Sequence, residues 1–316
     1  MRLAISALSL GLPLVAGLAF EGAVGFGSIA TGGTEAYVVS SLADSGTGTL
    51  RDATSVSGRN ITFSVSGYIV LESPLSISSH TTINGQTAPS PGIGVMGREV
   101  SASSQSNVIV RNLRIRQGTL DPDTGKSAFN MGDASNVILD HVSVEYGVWD
   151  SVDAVGAVNI TVSNSIIALP IGQQFGAHLE TGPVTWYRNL WVCGHNRQPL
   201  TKGPPTLQRI QAPFYINVYA NGNFLDSNNN GVLDGTASNT VGSAIVLSAP
   251  WNSGSAALAG LTAQQAYASV IASAGASPRD SVDAYVVSLV ESLGTKGQII
   301  TNQTSTGLPN NGYGTL

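Results

Sequence analysis

One pattern returns between about residues 106 and 225, and it limits the possible folds more than any other feature of the 316-residue sequence. It reads Asn107-Val-Ile-Val-Arg-Asn112-Leu-Arg-Ile115, then Asn136-Val-Ile-Leu-Asp-His141-Val-Ser-Val144, then Asn159-Ile-Thr-Val-Ser-Asn164-Ser-Ile-Ile167. Looser copies occupy 184–192 and 212–220. Aligning the sixth position of each unit puts Asn112, His141, Asn164, Asn189 and Asn217 in register, at spacings of 29, 23, 25 and 28. Recurrence at 20 to 50 residues means stacked units. Each unit is two short β-branched runs broken by a polar residue. Such a unit cannot bury its own apolar face, so its neighbours must stack on it to enclose a core. A parallel β-helix meets that demand. A leucine-rich repeat would need a Leu ladder and a propeller would need longer blades, and neither pattern is present. The aligned Asn residues are expected to stack at coil corners, with amides bonded along the ladder.

Composition agrees with an all-β chain. Only 10% of residues are charged, 42% are hydrophobic and 37 are Gly, which favours short strands and many turns. Segments 37–40, 61–65, 68–71 and 81–84 read as earlier coils. The period changes near the C-terminus. Thr262-Ala-Gln-Gln265 reads as a capping box, and apolar residues follow at helical spacing from Ala263 to Ala274. A second helix carries Val282, Tyr285, Val286, Leu289, Val290 and Leu293. Residues 20–316 are therefore expected to be one domain, with a helical extension at about 261–294 that packs on the solenoid or caps it.

Residues 3–20 are uncharged and end in Ala16-Gly-Leu-Ala19, which reads as a signal peptide over 1–19 and a secreted chain. No later segment has the length and apolarity to span a bilayer, so no membrane partner is expected. Asn60, Asn159 and Asn302 stand in Asn-x-Ser/Thr acceptors, as a secreted glycoprotein allows. The formal charge of -5 argues against nucleic-acid binding, which needs a basic surface. Cys193 is the single cysteine, so no intramolecular disulfide can form, and Trp191-Val-Cys193 reads as a core strand. A solenoid closed at both ends needs no partner for its edges, so a monomer is expected. Asp226-x-Asn-x-Asn-Gly231-x-x-Asp234 resembles the start of an EF-hand loop, but position twelve is Ala237, which favours a plain turn.

Further motifs carry a resemblance. Phe20-Glu-Gly-Ala-Val-Gly-Phe-Gly27, Ala30-Thr-Gly-Gly33, Ser45-Gly-Thr-Gly-Thr-Leu-Arg-Asp52, Gly85-Gln-Thr-Ala-Pro89, Asp140-His-Val-Ser143 and Pro278-Arg-Asp-Ser-Val-Asp283 together resemble the pectate lyase superfamily, in its microbial branch near polysaccharide lyase family one. The likeness spans nearly all of the chain after residue 19. It implies a right-handed parallel β-helix with a cleft along one outer sheet. It also implies cleavage of polygalacturonate, an acidic polysaccharide, by calcium-assisted β-elimination. In Arg197-Gln-Pro-Leu-Thr-Lys202 the resemblance puts Arg197 in the position of the catalytic base and Lys202 in that of the substrate-binding cation.

The metal ligands transfer less completely. One acidic position of the family falls on Ser127, an Asp-Glu pair falls on Trp149-Asp150, and a lysine falls on Phe175. Asp150 is the inherited carboxylate, and Asp153, Asp121 or Asp123 is expected to complete a weak calcium site. Trp149, Tyr146, Trp186 and Trp191 are candidate platforms for sugar rings, Trp149 and Tyr146 foremost, although aromatics in a solenoid more often fill the core. The resemblance makes Asp140 and His141 structural. Two other readings remain open. One is a hydrolase on the same fold using Asp150 and Asp153 as its acid pair, and the other is a catalytically silent binder of wall glycans.

Overall fold

The computed structural model describes residues 17–202, 217–218, 221–225, 232, 236–237, 245–249, 258, 260–293 and 298–315. The Asp226–Asp234 turn, apart from Val232, and residues 1–16 lie outside them.

Three parallel sheets stack the coils. The first has seven strands: Glu35–Val39, Arg59–Phe63, Thr81–Asn84, Ser106–Arg111, Ser135–Asp140, Val158–Ser163 and Val184–Tyr187. The second runs from Leu75–Ser76 through Val100–Ser101, Phe129–Asn130, Asp150–Val155 and Phe175–Glu180 to Leu200–Lys202. The third runs from Gly67–Val70 through Ile93–Met96, Arg114–Arg116, Ser143–Glu145 and Ile166–Ala168 to Leu190–Val192. Each coil passes from the first sheet to the third and then the second. The chain is thus a parallel β-helix.

Side chains alternate across each strand, and the register stacks like on like. Val108, Val137, Ile160 and Val184 fall in one row, and Val110, Leu139, Val162 and Trp186 in the next. These rows face inward, and the members from Val108 to Val162 are fully buried. Trp186 and Trp191 pack against this core, with ring centroids 5.3 Å apart.

Polar corners differ in part from the expected ladder. Asn112, His141 and Asn164 do turn the chain at φ near 50°, a left-handed conformation that Asn tolerates. The next member is Arg188, not Asn189, because Ser163 pairs with Tyr187. Asn189 lies one residue beyond and bonds along the stack through Ser165 N–H and Val162 O. The amide ladder itself runs at the other end of these strands. Asn159 donates to Asn136 Oδ1 at 3.0 Å, and Asn136 donates to Asn107 Oδ1 at 3.4 Å. Asn217 falls on a short strand whose side chains are outside the description.

Two segments cover the outer faces. The glycine-rich N-terminal stretch lies across the first sheet, where Gly27 N–H donates to Thr161 Oγ1 at 2.9 Å and Gly33 N–H to Thr82 Oγ1 at 3.0 Å. A Cβ on Gly27 would stand 2.2 Å from Val137 O, so only glycine admits this approach. On the third sheet lie helices Ala263–Ser273 and Ser281–Glu291, each opened by a capping box, at Thr262/Gln265 and Asp280/Asp283. They pack on the flank of the solenoid through Val270, Val282, Val286 and Leu289 against Ile166, Leu190 and Val192.

That flank contains five fully buried charged side chains. Arg116 donates to Glu145 Oε2 at 3.0 Å, to Asp280 and to Asp283 Oδ1 at 3.3 Å, while Arg114 reaches Asp283 Oδ2 at 3.2 Å. Three carboxyls face two guanidiniums. Burial pushes the Glu145 carboxyl well above its ordinary range, with Asp283 and Asp280 adding to the rise against the opposing pull of Arg116. Burial raises the Asp283 carboxyl as well, against the pull of Arg116 and Arg114.

Candidate active site

The outer face of the second sheet, where the resemblance places the cleft, carries the candidate site. Asp150–Val155 pairs with Phe175–Glu180, placing Asp150 opposite Phe175, Asp153 opposite His178 and Val155 opposite Glu180. Asn130 continues the Asp153 row into the preceding coil. Inward residues of these strands, Val152, Ala154, Ala177 and Leu179, belong to the core. Their alternates Asp153, His178 and Glu180 are therefore left on the groove side.

Arg197 enters from the turn before Leu200–Lys202, with its backbone at φ 59°. Its Nη1 lies 2.9 Å from Asp150 Oδ2 and 3.2 Å from Oδ1, and the carboxylate is fully buried while the Arg197 side chain is 17% exposed. The Phe175 ring centroid lies 3.9 Å from the guanidinium carbon, and Trp149, 36% exposed, meets Phe175 edge-on at 6.0 Å. A cation against one aromatic face and a buried carboxylate is strongly ordered. The losses read from the sequence thus have a structural meaning. Trp149 and Phe175, standing where the resemblance expects an acid and a lysine, wall in the arginine.

The four acids expected to hold calcium do not converge. Among the described residues no group of three or more His, Cys, Asp or Glu side chains is placed to hold a metal ion. Asp150 is engaged by Arg197. Asp153 accepts Val155 N–H at 2.9 Å, and burial raises its carboxyl above the ordinary range. Asp121 is buried and accepts from Gln117 Nε2 at 2.8 Å and Asp123 N–H at 3.1 Å, while Asp123 accepts Gly125 N–H at 3.0 Å. Calcium needs six to eight oxygens. As placed here, the Asp150, Asp153, Asp121 and Asp123 carboxylates do not form such a cage among themselves.

Tyr146 is also corrected. Its side chain is fully buried on the flank, donates to Gly312 O at 2.9 Å and meets Tyr313 edge-on, so it presents no face to a sugar. Burial pushes its phenol far above the ordinary range, and that of Tyr313 up to about 12. Lys202 lies on the groove sheet, paired with Glu180, and its side chain is outside the description. Asp140 accepts from Asn164 at 2.8 Å and Ser163 at 2.9 Å and contacts His141 at 3.0 Å. Burial pushes the Asp140 carboxyl up, but the hydrogen bonds from His141, Asn164 and Ser163 together hold it below the usual range. Cys193 packs beside the flank cluster, where burial raises the thiol.

Sequence reasoning passed over His178 and Glu180, and Gln117. His178 stands 3.3 Å from Arg197 Nη1 and 3.0 Å from Glu180. The signal for this pair was the two-residue alternation of the strand Phe175–Glu180. Gln117, fully buried, holds Val148 N–H with its oxygen and Asp121 with its nitrogen, so it sets the segment that carries Trp149.

The stacked sheets, with the Arg197–Asp150 pair and the Phe175 and Trp149 rings beside it on one of them, define a parallel β-helix protein. No protein-family model matches the sequence. A protein of Neosartorya fischeri named probable pectate lyase C is 34% identical over 343 residues, covering 92% of this chain and 81% of that one. Its namesake in Aspergillus terreus is 35% identical, covering 98% and 86%, and that of Emericella nidulans is 44% identical over 59% of this chain and 45% of its own. A solved pectate lyase from Bacillus sp. N165, in complex with trigalacturonate, has a TM-score of 0.49 and 16% identity, covering 80% of this chain and 98% of that one. The chain belongs to the pectate lyase family.

Proposed function

We propose that the protein is a secreted polysaccharide lyase that cleaves polygalacturonate by β-elimination in the groove over the second sheet, with Arg197 as the reacting group. One observation carries the assignment of the group. The arginine of the Arg197–Lys202 segment stands in the groove, ordered between Asp150, His178 and Phe175. In β-elimination the C5 proton leaves, the bond from C4 to the bridging oxygen breaks, and a C4–C5 double bond forms. The pair with Asp150 favours the charged guanidinium. In that form Arg197 stabilises the negative charge that develops on the uronate as C5 loses its proton. Taking the proton itself requires the pair to open and the guanidinium first to lose a proton to solvent, so that its neutral form accepts the C5 proton while the departing C4 oxygen is protonated from solvent. As placed here the four acids do not form a calcium site among themselves, so the charge stabilisation proposed is that of Arg197.

A hydrolytic reading is disfavoured by the same pair. A buried carboxylate locked to an arginine cannot serve as one of two freely titrating acids, which leaves Asp153 without its partner. Residues 1–19 are the proposed leader. Phe20, just after them, already packs its ring 3.9 Å from the Arg111 guanidinium carbon. The secreted chain is proposed to act as a monomer.

Incubation with polygalacturonate, with and without calcium, tests the reading through the ultraviolet absorbance of the unsaturated product. A rising signal that Arg197→Lys nearly abolishes is expected, since an ammonium lacks the planar fork of the guanidinium. New reducing ends without the chromophore would establish a hydrolase, and retention of glycan without cleavage a binding protein.

A further inference from the structure

Among the described residues, Arg197 Nη1 meets two polar groups besides the aromatic wall. One is the Asp150 carboxylate and the other is His178 Nδ1, at 3.3 Å. The second ring nitrogen of His178, Nε2, lies 3.0 Å from Glu180 Oε1. His178 and Glu180 are 13% exposed at their side chains and share one face of the strand Phe175–Glu180. Glu180, His178, Arg197 and Asp150 thus form a chain of contacts from the strand end at Glu180 to the buried carboxylate.

Proton inventory assigns their roles. A guanidinium has only N–H donors, so the atom that meets Nη1–H must offer a lone pair. That atom is Nδ1 without a proton. The neutral ring then carries its proton on Nε2, where it donates to Glu180. The Glu180 carboxylate selects this tautomer, and the tautomer supplies the acceptor for Arg197.

We propose that His178, with its tautomer set by Glu180, is a positioning residue for Arg197. The inference rests on the reading of Arg197 as the reacting group. Arginine carries a long, rotamer-rich stem, and its ion pair with Asp150 must loosen whenever a uronate carboxylate or another cation engages either partner. A neutral acceptor on the neighbouring strand keeps the guanidinium in the groove through that exchange. It does so without adding a second negative charge, which would hold the guanidinium still more firmly in its charged form.

The experiment has an arm that reads chemistry and an arm that does not. On polygalacturonate, His178→Ala is expected to lower kcat by roughly 10- to 100-fold while KM changes less than about threefold, as misplacement of a reacting group does. His178→Asn, whose side-chain oxygen can take over the acceptor role, restores most of the loss, and Glu180→Gln falls between. Independently of turnover, long-range proton–nitrogen spectra of the imidazole should show Nε2 protonated and Nδ1 bare in the parent, and mixed tautomers in Glu180→Gln. The Arg197 side-chain N–H signals, sharp in the parent, should broaden in His178→Ala. An active parent whose His178→Ala variant keeps its kcat overturns the proposal. So does a ring protonated at Nδ1, or unchanged Arg197 signals in His178→Ala, whatever the activity. A parent that makes no unsaturated product defeats the lyase reading alone, because the spectra still decide whether His178 orders Arg197.

Discussion

Asp150, fully buried at the head of one groove strand, holds the Arg197 guanidinium at 2.9 Å from the adjoining turn. The residue proposed as a metal ligand and the residue proposed as the reacting group thus neutralise each other. An oxygen that accepts from a guanidinium is a poor ligand for a cation until that bond is broken. Any cation that enters must displace Arg197 or bind beyond it.

This competition can be measured without substrate. Calorimetry at neutral pH is expected to show at most weak calcium uptake by the parent and tighter uptake by Arg197→Gln, which removes the guanidinium from the Asp150 carboxylate. The same variant should be destabilised by on the order of 2 kcal/mol, less than for a fully enclosed pair because Arg197 is partly exposed. Equal calcium affinity in the two proteins would show that Asp150 takes no part in cation binding.

A second prediction concerns the amide ladder. Asn136 sits at φ 55°, accepts from Asn159 and donates to Asn107. Asn136→Ala loses both bonds and forces a Cβ-bearing residue without a local hydrogen bond into the left-handed region, for a cost of about 2 kcal/mol. Asn136→Gly relieves the backbone and retains only the loss of the ladder bonds. Urea midpoints should therefore rank parent, Gly and Ala in falling order, and an Ala variant as stable as the Gly variant would contradict the argument.

How far the sequence discloses this molecule depends on how local the determining interaction is. Coil rows such as Val108, Val137 and Ile160 are visible because stacking repeats the same residue types at one spacing. The slip at Asn189 arose where the copy loosens, since Tyr187-Arg188-Asn189 offers an Asn one place beyond the corner. Arg197 was legible from its motif. Its environment was not, because Asp150, Phe175 and His178 reach it from two other strands, and no spacing in the chain encodes which neighbours meet across coils. The flank cluster is more extreme, joining Arg114 and Arg116 to Asp280 and Asp283 through contacts between segments far apart in sequence.

That cluster gives a pH prediction. Glu145 has a folded-state pKa raised above its unfolded value, so folding takes up a proton. The associated stability is fully present below about pH 4.3, the ordinary glutamate value, and is lost as pH rises through the folded value. Glu145→Gln keeps an acceptor for Arg116 and cannot ionise. Its stability, measured by urea unfolding between pH 5 and 8, should fall less steeply with pH than that of the parent and should exceed it at the alkaline end. Parallel curves for the two proteins would place the surplus proton elsewhere in the cluster.

Tyr146 separates flank from groove. Tyr146→Phe loses only the bond to Gly312 O within a packed environment, at a cost of about 1 kcal/mol. Thermal midpoints should drop while KM for polygalacturonate stays at the parental value. A raised KM would return this tyrosine to the substrate.

Trp149 should behave in the opposite way. Its ring is 36% exposed at the groove, braced edge-on by Phe175, and its backbone is set by the bond from Val148 N–H to Gln117 Oε1. An indole held in this fashion offers a face to a sugar ring and loses little entropy on binding. Trp149→Ala removes that face but also takes an edge from the wall that confines Phe175, on which the Arg197 guanidinium lies. The first effect raises KM by roughly 10-fold, equivalent to about 1.4 kcal/mol of uniform binding, and the second lowers kcat only as far as Arg197 is loosened. Trp149→Phe keeps the edge contact and should recover kcat before it recovers KM. If Trp149→Ala changes neither constant on polygalacturonate, the glycan does not pass over this end of the groove.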